Sequence, residues 1–219
     1  MDIDIKEQAK IDEIYLKNEL ALKMLETELD ILLKSYAYEK KYNPVEHMKS
    51  RVKTLDSAFN KLEKKGYPVD SYNLLKHIHD MIGVRIVCSF LSDVYEVVDL
   101  IKNSGQYKIK EEKDYIKCPK DTGYISYHII ITLPLYLTDK IEYVDAEIQI
   151  RTIAMDFWAS IDHKLHYKAD NTSQNVQDEI YSCSLDIKAL DETMNRLYLK
   201  TIKNNKQESE SINWFAFLL

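Results

Sequence analysis

Only four glycines serve the 219-residue chain, Gly66, Gly83, Gly105 and Gly123, and no two lie closer than 17 positions. Folds that cradle phosphates on backbone N–H groups need glycines clustered in one loop, so that the main chain can approach the ligand. A P-loop and a dinucleotide fingerprint are therefore both excluded. If this chain handles phosphates, basic side chains must do it. The three cysteines exclude more: Cys88, Cys118 and Cys183 are odd in number, far apart and form no CxxC pair. That rules out a disulfide scaffold and a cysteine-built zinc site, and it fits a reducing cytoplasm. No run approaches 18 uncharged apolar residues, and the N-terminus, MDIDIKEQAK, is acidic. Neither a membrane span nor a secretory signal is expected.

Apolar spacing predicts a helix from Ile5 to Tyr38, with Ile11, Ile14, Tyr15, Leu22, Leu25, Leu29 and Leu32 on one stripe and Asn18 as its polar break. Asn43-Pro44 ends it. Helices are predicted over Leu55–Lys65, closed by Gly66, and over Ser71–His79. The period then changes. Strands are expected at Gly83–Phe90, Tyr107–Tyr115, Ile125–Leu133 and Val144–Ile150, with a helix at Asp93–Asn103 between the first two. Helices return at Ile153–Tyr167 and Val176–Lys203, and the tail SINWFAFLL is expected to dock on its own chain or a neighbour. This order gives one α/β (α+β) domain, a small mixed β-sheet flanked by helices, with long N- and C-terminal helices.

Net charge is −6, which argues against a general nucleic-acid binder. Between His47 and Gly66, however, six bases face two acids. Such an island suits a small polyanion such as a nucleotide, the alternative being a solvated helix face. Asp80, before the first strand, and Glu147, in the last, are acids next to apolar runs. Two such carboxylates suit Mg²⁺, which takes one or two carboxylates plus substrate phosphates. The alternative for Glu147 is a structural ion pair with Arg85 or Arg151. The HIHD run (His77, His79, Asp80), with Asp162, His163 and His166, is a weaker metal candidate, because histidines at a helix end are common. The segment Asp114–His128 gathers Tyr115, Lys117, Lys120 and Tyr124 around a Pro119–Gly123 turn, lysines for phosphate and tyrosines for stacking on a base. An ordinary charged hairpin loop is the competing reading.

Four segments in order, KSRVKTLDSAFNKLEKKG, HDMIGVRIVCSF, DYIKCPKDTGYISYH and EIQIRTIAMDFWASIDHKLHYK, resemble the small alarmone synthetases, stand-alone relatives of the RelA/SpoT synthetase domain. The resemblance spans about Asn43 to Lys168. It implies a nucleotidyltransferase-like core over 43–168, an N-terminal helical extension over 1–42, and a C-terminal one over 169–219 that supports oligomerisation. It also implies a Mg²⁺-dependent, cytoplasmic pyrophosphokinase moving the β,γ-pyrophosphate of ATP to the 3′-hydroxyl of GDP or GTP, with AMP and (p)ppGpp as products. By this resemblance Arg51 and Arg85 sandwich the adenine, while Lys53, Ser57 and Lys61 hold the ATP phosphates. Asp80 binds Mg²⁺, and Glu147 shares the metal or takes the proton. Tyr124 stacks on the guanine, and Lys120, His128 and Gln149 place the acceptor. The family usually has Asn before this Gly-Tyr, where the chain has Thr122; Cys118 and Asp121 also depart. That leaves the choice among GMP, GDP and GTP open. A homotetramer, a single-stranded RNA partner and the absence of a hydrolase domain are further implications. The competing functions are the same transfer to another nucleotide or an RNA, a catalytically weak nucleotide- or RNA-binding regulator, and a metal phosphohydrolase built on His79 and Asp80.

Overall fold

The computed structural model describes residues 4–168 and 174–216, except the side chains of 166–168, 174 and 205–216. The elements are α1 (Ile5–Lys40), β1 (Val45–Val52), α2 (Leu55–Lys64), α3 (Ser71–His77), β2 (Ile82–Cys88), α4 (Leu91–Asn103), β3 (Lys108–Asp114), β4 (Tyr127–Tyr136), β5 (Ile141–Thr152), α5 (Ile153–Lys168) and α6 (Gln174–Ala216). The sheet has five strands, not four, in the order β1-β2-β5-β4-β3. Only β2 and β5 run parallel. The unanticipated strand is β1, VEHMKSRV, which lies at the edge. Its outward residues are charged, as edge strands commonly are, and that masks the alternation. The basic island thus straddles a strand and a helix. The helix α3 also stops at His77, two residues earlier than expected.

Local chemistry explains the helix starts. Thr54 Oγ1 accepts from Ser57 N at 3.3 Å ahead of α2, and Asp70 Oδ1 accepts from Asn73 N at 2.6 Å ahead of α3. Alternation sorts the strands into two faces. On one face, Ile82, Val84 and Ile86, Ala146, Ile148 and Ile150, and Ile129, Ile131 and Leu133 are buried. Ala21, Leu25, Leu29 and Leu33 of α1 and Val94, Val97, Val98 and Ile101 of α4 cover them. The start of α1 caps a second cluster: Ile11 and Ile14 with Ala58, Leu62, Leu74, Ile78 and Met81. Asn18, the polar break in the stripe, is buried too, its Nδ2 donating to Ile14 O at 2.8 Å.

Several contacts strap α6 to this core. Trp158 Nε1 donates to Ile180 O at 3.1 Å, Thr152 Oγ1 to Asp191 Oδ2 at 2.6 Å, and Tyr198 stacks on Phe90 at 4.1 Å between centroids. Residues 217–219 of the apolar tail, the side chains of its residues 211–216 and the His166 side chain lie outside what the structure describes. Among the described residues no helix is long and apolar enough to cross a membrane.

Leu29 is fully buried between α1 and the sheet. Leu29→Ala should cost about 3 kcal/mol of stability, read as a lowered urea midpoint with an unchanged slope.

Candidate active site

The face of the sheet turned away from α1 and α4 carries two rows of side chains. Cross-strand register places Arg51, Gly83, Glu147, Ile130 and Glu111 in one row and Lys49, Arg85, Gln149, His128 and Lys113 in the next. A cavity of about 350 Å³ is lined by Arg51, Lys53, Asp80, Arg85, Glu147 and Gln149 among others. A second, of about 140 Å³, is lined by Lys113, Tyr115, Lys120, His128 and Glu147 among others. Glu147 is common to both. Gly83 forms the floor beside it, and nothing lies within 4 Å of where its Cβ would stand.

Glu147 is fixed through both oxygens. Arg151, only 4 % exposed, donates from Nη2 to the Tyr124 hydroxyl and, at 2.7 Å, to Gln149 Oε1. The Tyr124 hydroxyl and His128 Nε2 are hydrogen-bonded at 2.8 Å. An ionised carboxylate can only accept, so His128 Nδ1 donates to Glu147 Oε1 at 3.0 Å. Gln149 Nε2 donates to Glu147 Oε2 at 2.7 Å. Two hydrogen-bond chains thus run from one guanidinium to one carboxylate. Burial pushes the Glu147 carboxyl up, but the His128 and Gln149 hydrogen bonds outweigh it and hold it below the usual range. The two arginines that a structural ion pair with Glu147 would need pair elsewhere. Arg85 Nη1 and Arg151 Nη1 both reach Asp156 Oδ1, at 3.0 and 3.2 Å.

Asp80 Oδ2 receives Lys53 Nζ at 2.6 Å and Lys61 Nζ at 2.8 Å. Burial raises this carboxyl as well, and the two lysines bring it below its ordinary value. Its other oxygen, Oδ1, is buried without a hydrogen-bond partner. A buried carboxylate oxygen lacking a donor, close enough to Glu147 for the two charges to oppose each other, suits a hard divalent cation. Among the described residues no three His, Cys, Asp or Glu side chains are grouped to hold a metal. A cation here must therefore complete its shell with water or ligand oxygens. The HIHD histidines turn away from Asp80: His77 stacks on Tyr67 at 3.7 Å and His79 bonds Asp145 at 2.9 Å.

Of the other expected residues, Ser57 sits in the first turn of α2, outside both cavity walls, with Thr54 Oγ1 donating to its Oγ at 2.9 Å. Lys120 Nζ lies 4.7 Å over the Tyr115 ring and 4.8 Å over the Tyr124 ring. Burial lowers its pKa, with Lys113, Arg151 and Lys61 acting the same way against the pull of Glu147. Gly123 has φ +85°, and a Cβ there would collide with Ser184 Oγ, so α6 backs this loop. Sequence reasoning missed Glu111 and Lys113, Asp156 as a clamp on two arginines, and Arg151 as the head of the two chains. Strand alternation could have flagged Lys113, but only register places it opposite His128.

A mixed sheet with a basic cleft around two carboxylates fits a class of protein in which side chains meet phosphates. Residues 50–172 match the family described as the region found in RelA / SpoT proteins, and the chain belongs to that family. It is 47% identical over 184 residues to GTP pyrophosphokinase YwaC of Bacillus subtilis (strain 168), covering 81% of this chain and 88% of that protein. Among solved structures it is similar to small alarmone synthetase 2 from Bacillus subtilis, with TM-score 0.78 and 44% identity over 86% of this chain and 98% of that one. It also matches small alarmone synthetase 1 from Bacillus subtilis bound to its product pppGpp, with TM-score 0.81 and 30% identity over 88% and 98%.

Since hydrogen bonds counter burial at Glu147, His128→Ala should raise the Glu147 carboxyl pKa. A ¹³C-detected NMR titration of that carboxyl checks the direction.

Proposed function

We propose that this chain is a GTP pyrophosphokinase of the small alarmone synthetase type, transferring the β,γ-pyrophosphate of ATP to the 3′-hydroxyl of GDP or GTP to give AMP and (p)ppGpp. The observation that carries the reading is Glu147, an ionised carboxylate forming the common wall of two cavities of unequal size. The similarity to GTP pyrophosphokinases and to a synthetase holding pppGpp supports it.

In this reading the larger cavity takes ATP. Arg51 and Arg85, on neighbouring strands, present flat guanidinium groups to the adenine. Asp156 holds the Arg85 plane in place. Lys53, in the cavity wall, and Lys61 and Ser57, beyond it on α2, reach toward the triphosphate, the two lysines sharing their charge between it and Asp80. The smaller cavity takes the acceptor, with Lys120 and His128 of its wall and Gln149 of the neighbouring wall on its phosphates and sugar, and Tyr124, behind His128, against the guanine. Lys113, across from His128, adds a further positive charge. Mg²⁺ bound by Asp80 and Glu147 supplies neutralisation of phosphate charge. Glu147 accepts the proton of the 3′-hydroxyl as that oxygen bonds to the β-phosphorus, and the bridging oxygen leaves on AMP. Positioning and charge carry most of such a transfer.

The same reading puts the protein in the cytoplasm, as a homotetramer, with single-stranded RNA as a further partner. Exposed Ile153, Phe157, Ile161 and Leu165, four apart along α5, support assembly through helices. The choice among GMP, GDP and GTP rests on the loop that holds Thr122.

Protein incubated with Mg²⁺, ATP and GMP, GDP or GTP should yield AMP and, in equal amount, a more highly charged guanine nucleotide on anion exchange. Failure with all three acceptors would overturn the proposal. Glu147→Gln should lower kcat about 10²- to 10⁴-fold while ATP affinity stays within a few-fold. Gly83→Val adds a side chain where the cavity is open and suits a strand. It should abolish ATP binding by calorimetry without lowering Tm.

A further inference from the structure

We propose that Asp145 and His79 are positioning residues that set the Asp80 carboxylate against Glu147. This rests on reading Asp80 and Glu147 as the ligands of a divalent cation. Asp145 stands two residues before Glu147, on the same face of β5. Three donors converge on it from three other parts of the fold. His79 Nδ1 reaches Oδ2 at 2.9 Å from the connection between α3 and β2, and Lys110 Nζ reaches Oδ2 at 2.7 Å from β3. Thr132 Oγ1 reaches Oδ1 at 2.6 Å from β4. Lys110 is the extra residue where the β3–β4 register shifts between Ile109 and Glu111. Such an irregularity turns a side chain out of its normal alternation, here onto the site face.

The need for this cluster follows from Asp80. Residues 78–81, between α3 and β2, have no regular ladder of their own. Ile78 and Met81 are anchored in the small apolar cluster, and Met81 O accepts from Lys53 N at 2.7 Å. Among the described residues, the Asp80 side chain is held by the ends of two lysines, Lys53 and Lys61, whose long side chains constrain direction weakly. His79 is its immediate neighbour, and its short, rigid ring ties the connection to β5, the strand that carries Glu147. A divalent cation bound at about 2.1 Å demands near-ideal geometry, so a small drift of Asp80 Oδ1 would be felt. Asp145 further links the ATP side, through His79, to the acceptor side, through β3 and β4. This gives the HIHD run a role without making either histidine a metal ligand.

The test reads Mn²⁺ binding by electron paramagnetic resonance with α,β-methylene-ATP present, alongside affinity for that analogue in EDTA and Tm. Asp80→Ala serves as the ligand control. His79→Ala and Asp145→Asn, which removes the acceptor for His79 and Lys110, should each weaken Mn²⁺ binding about 10-fold or more. Analogue affinity in EDTA should stay within about twofold of the unsubstituted protein. His79→Asn, whose amide N–H replaces Nδ1–H, should restore Mn²⁺ affinity to within about threefold of the unsubstituted protein. The proposal is overturned if His79→Ala binds Mn²⁺ as the unsubstituted protein does, or if His79→Asn is as weak as His79→Ala. A metal-free loss of analogue affinity equal to the Mn²⁺ loss also overturns it, since that marks general disruption. Unchanged Mn²⁺ affinity in Asp80→Ala removes the cation site and the proposal with it. If the unsubstituted protein releases no AMP with any guanine nucleotide while these Mn²⁺ shifts hold, the transfer reaction fails and the positioning role stands.

Discussion

Two carboxylates, Asp80 and Glu147, are held ionised next to one another in a half-buried cleft, and the rest of the site is arranged around that demand. Burial and mutual repulsion both favour protonation. Lys53 and Lys61 answer this at Asp80, whereas His128 and Gln149 answer it at Glu147. Its two oxygens take hydrogen bonds from His128 and Gln149, both directed by the buried guanidinium of Arg151. Asp156 absorbs the arginine charge instead, taking Arg85 and Arg151 together.

The sheet makes this affordable by separating its two faces completely. Ile, Val and Ala on one side meet α1 and α4, and that apolar layer contributes most of the stability. The opposite face is then released from packing and can carry Arg, Lys, Glu, Gln and His in register. α1 belongs to this layer over much of its length, so it is as much a part of the core as the strands are. α6 acts differently, touching the fold at the end of β5, at the start of α4 and behind Gly123. Its contact behind Gly123 ties that loop to α6.

Much of this was legible in the chain. Long periodic stripes announced α1, and the continuous apolar run of β2 announced a central strand. Scarce, scattered glycines pointed to side chains as the phosphate ligands, and Asp80 and Glu147 stood out as acids beside apolar runs. The edge strand β1 was not legible, because charges on its outer side mask its alternation and its Lys and Arg residues read equally well as a helix face. His79 was misleading for another reason. A His-Asp pair suggests metal ligation, but the side chains of consecutive residues diverge, and only the fold shows that one faces Asp145 and the other the cleft.

The amino-acid order by itself determined most of the helices and strands (though not β1), which face of each is apolar, and that any phosphate bound must be met by basic side chains. These follow from propensity and periodicity, which act over a few residues. Only the tertiary structure decided that Arg51, Gly83 and Glu147 share a row, that Lys113 stands opposite His128, and that Arg151 governs Glu147 from a distance. Those relations depend on strand order and register. Register is fixed by burying one whole face of the sheet at once, a cooperative requirement that no single segment encodes.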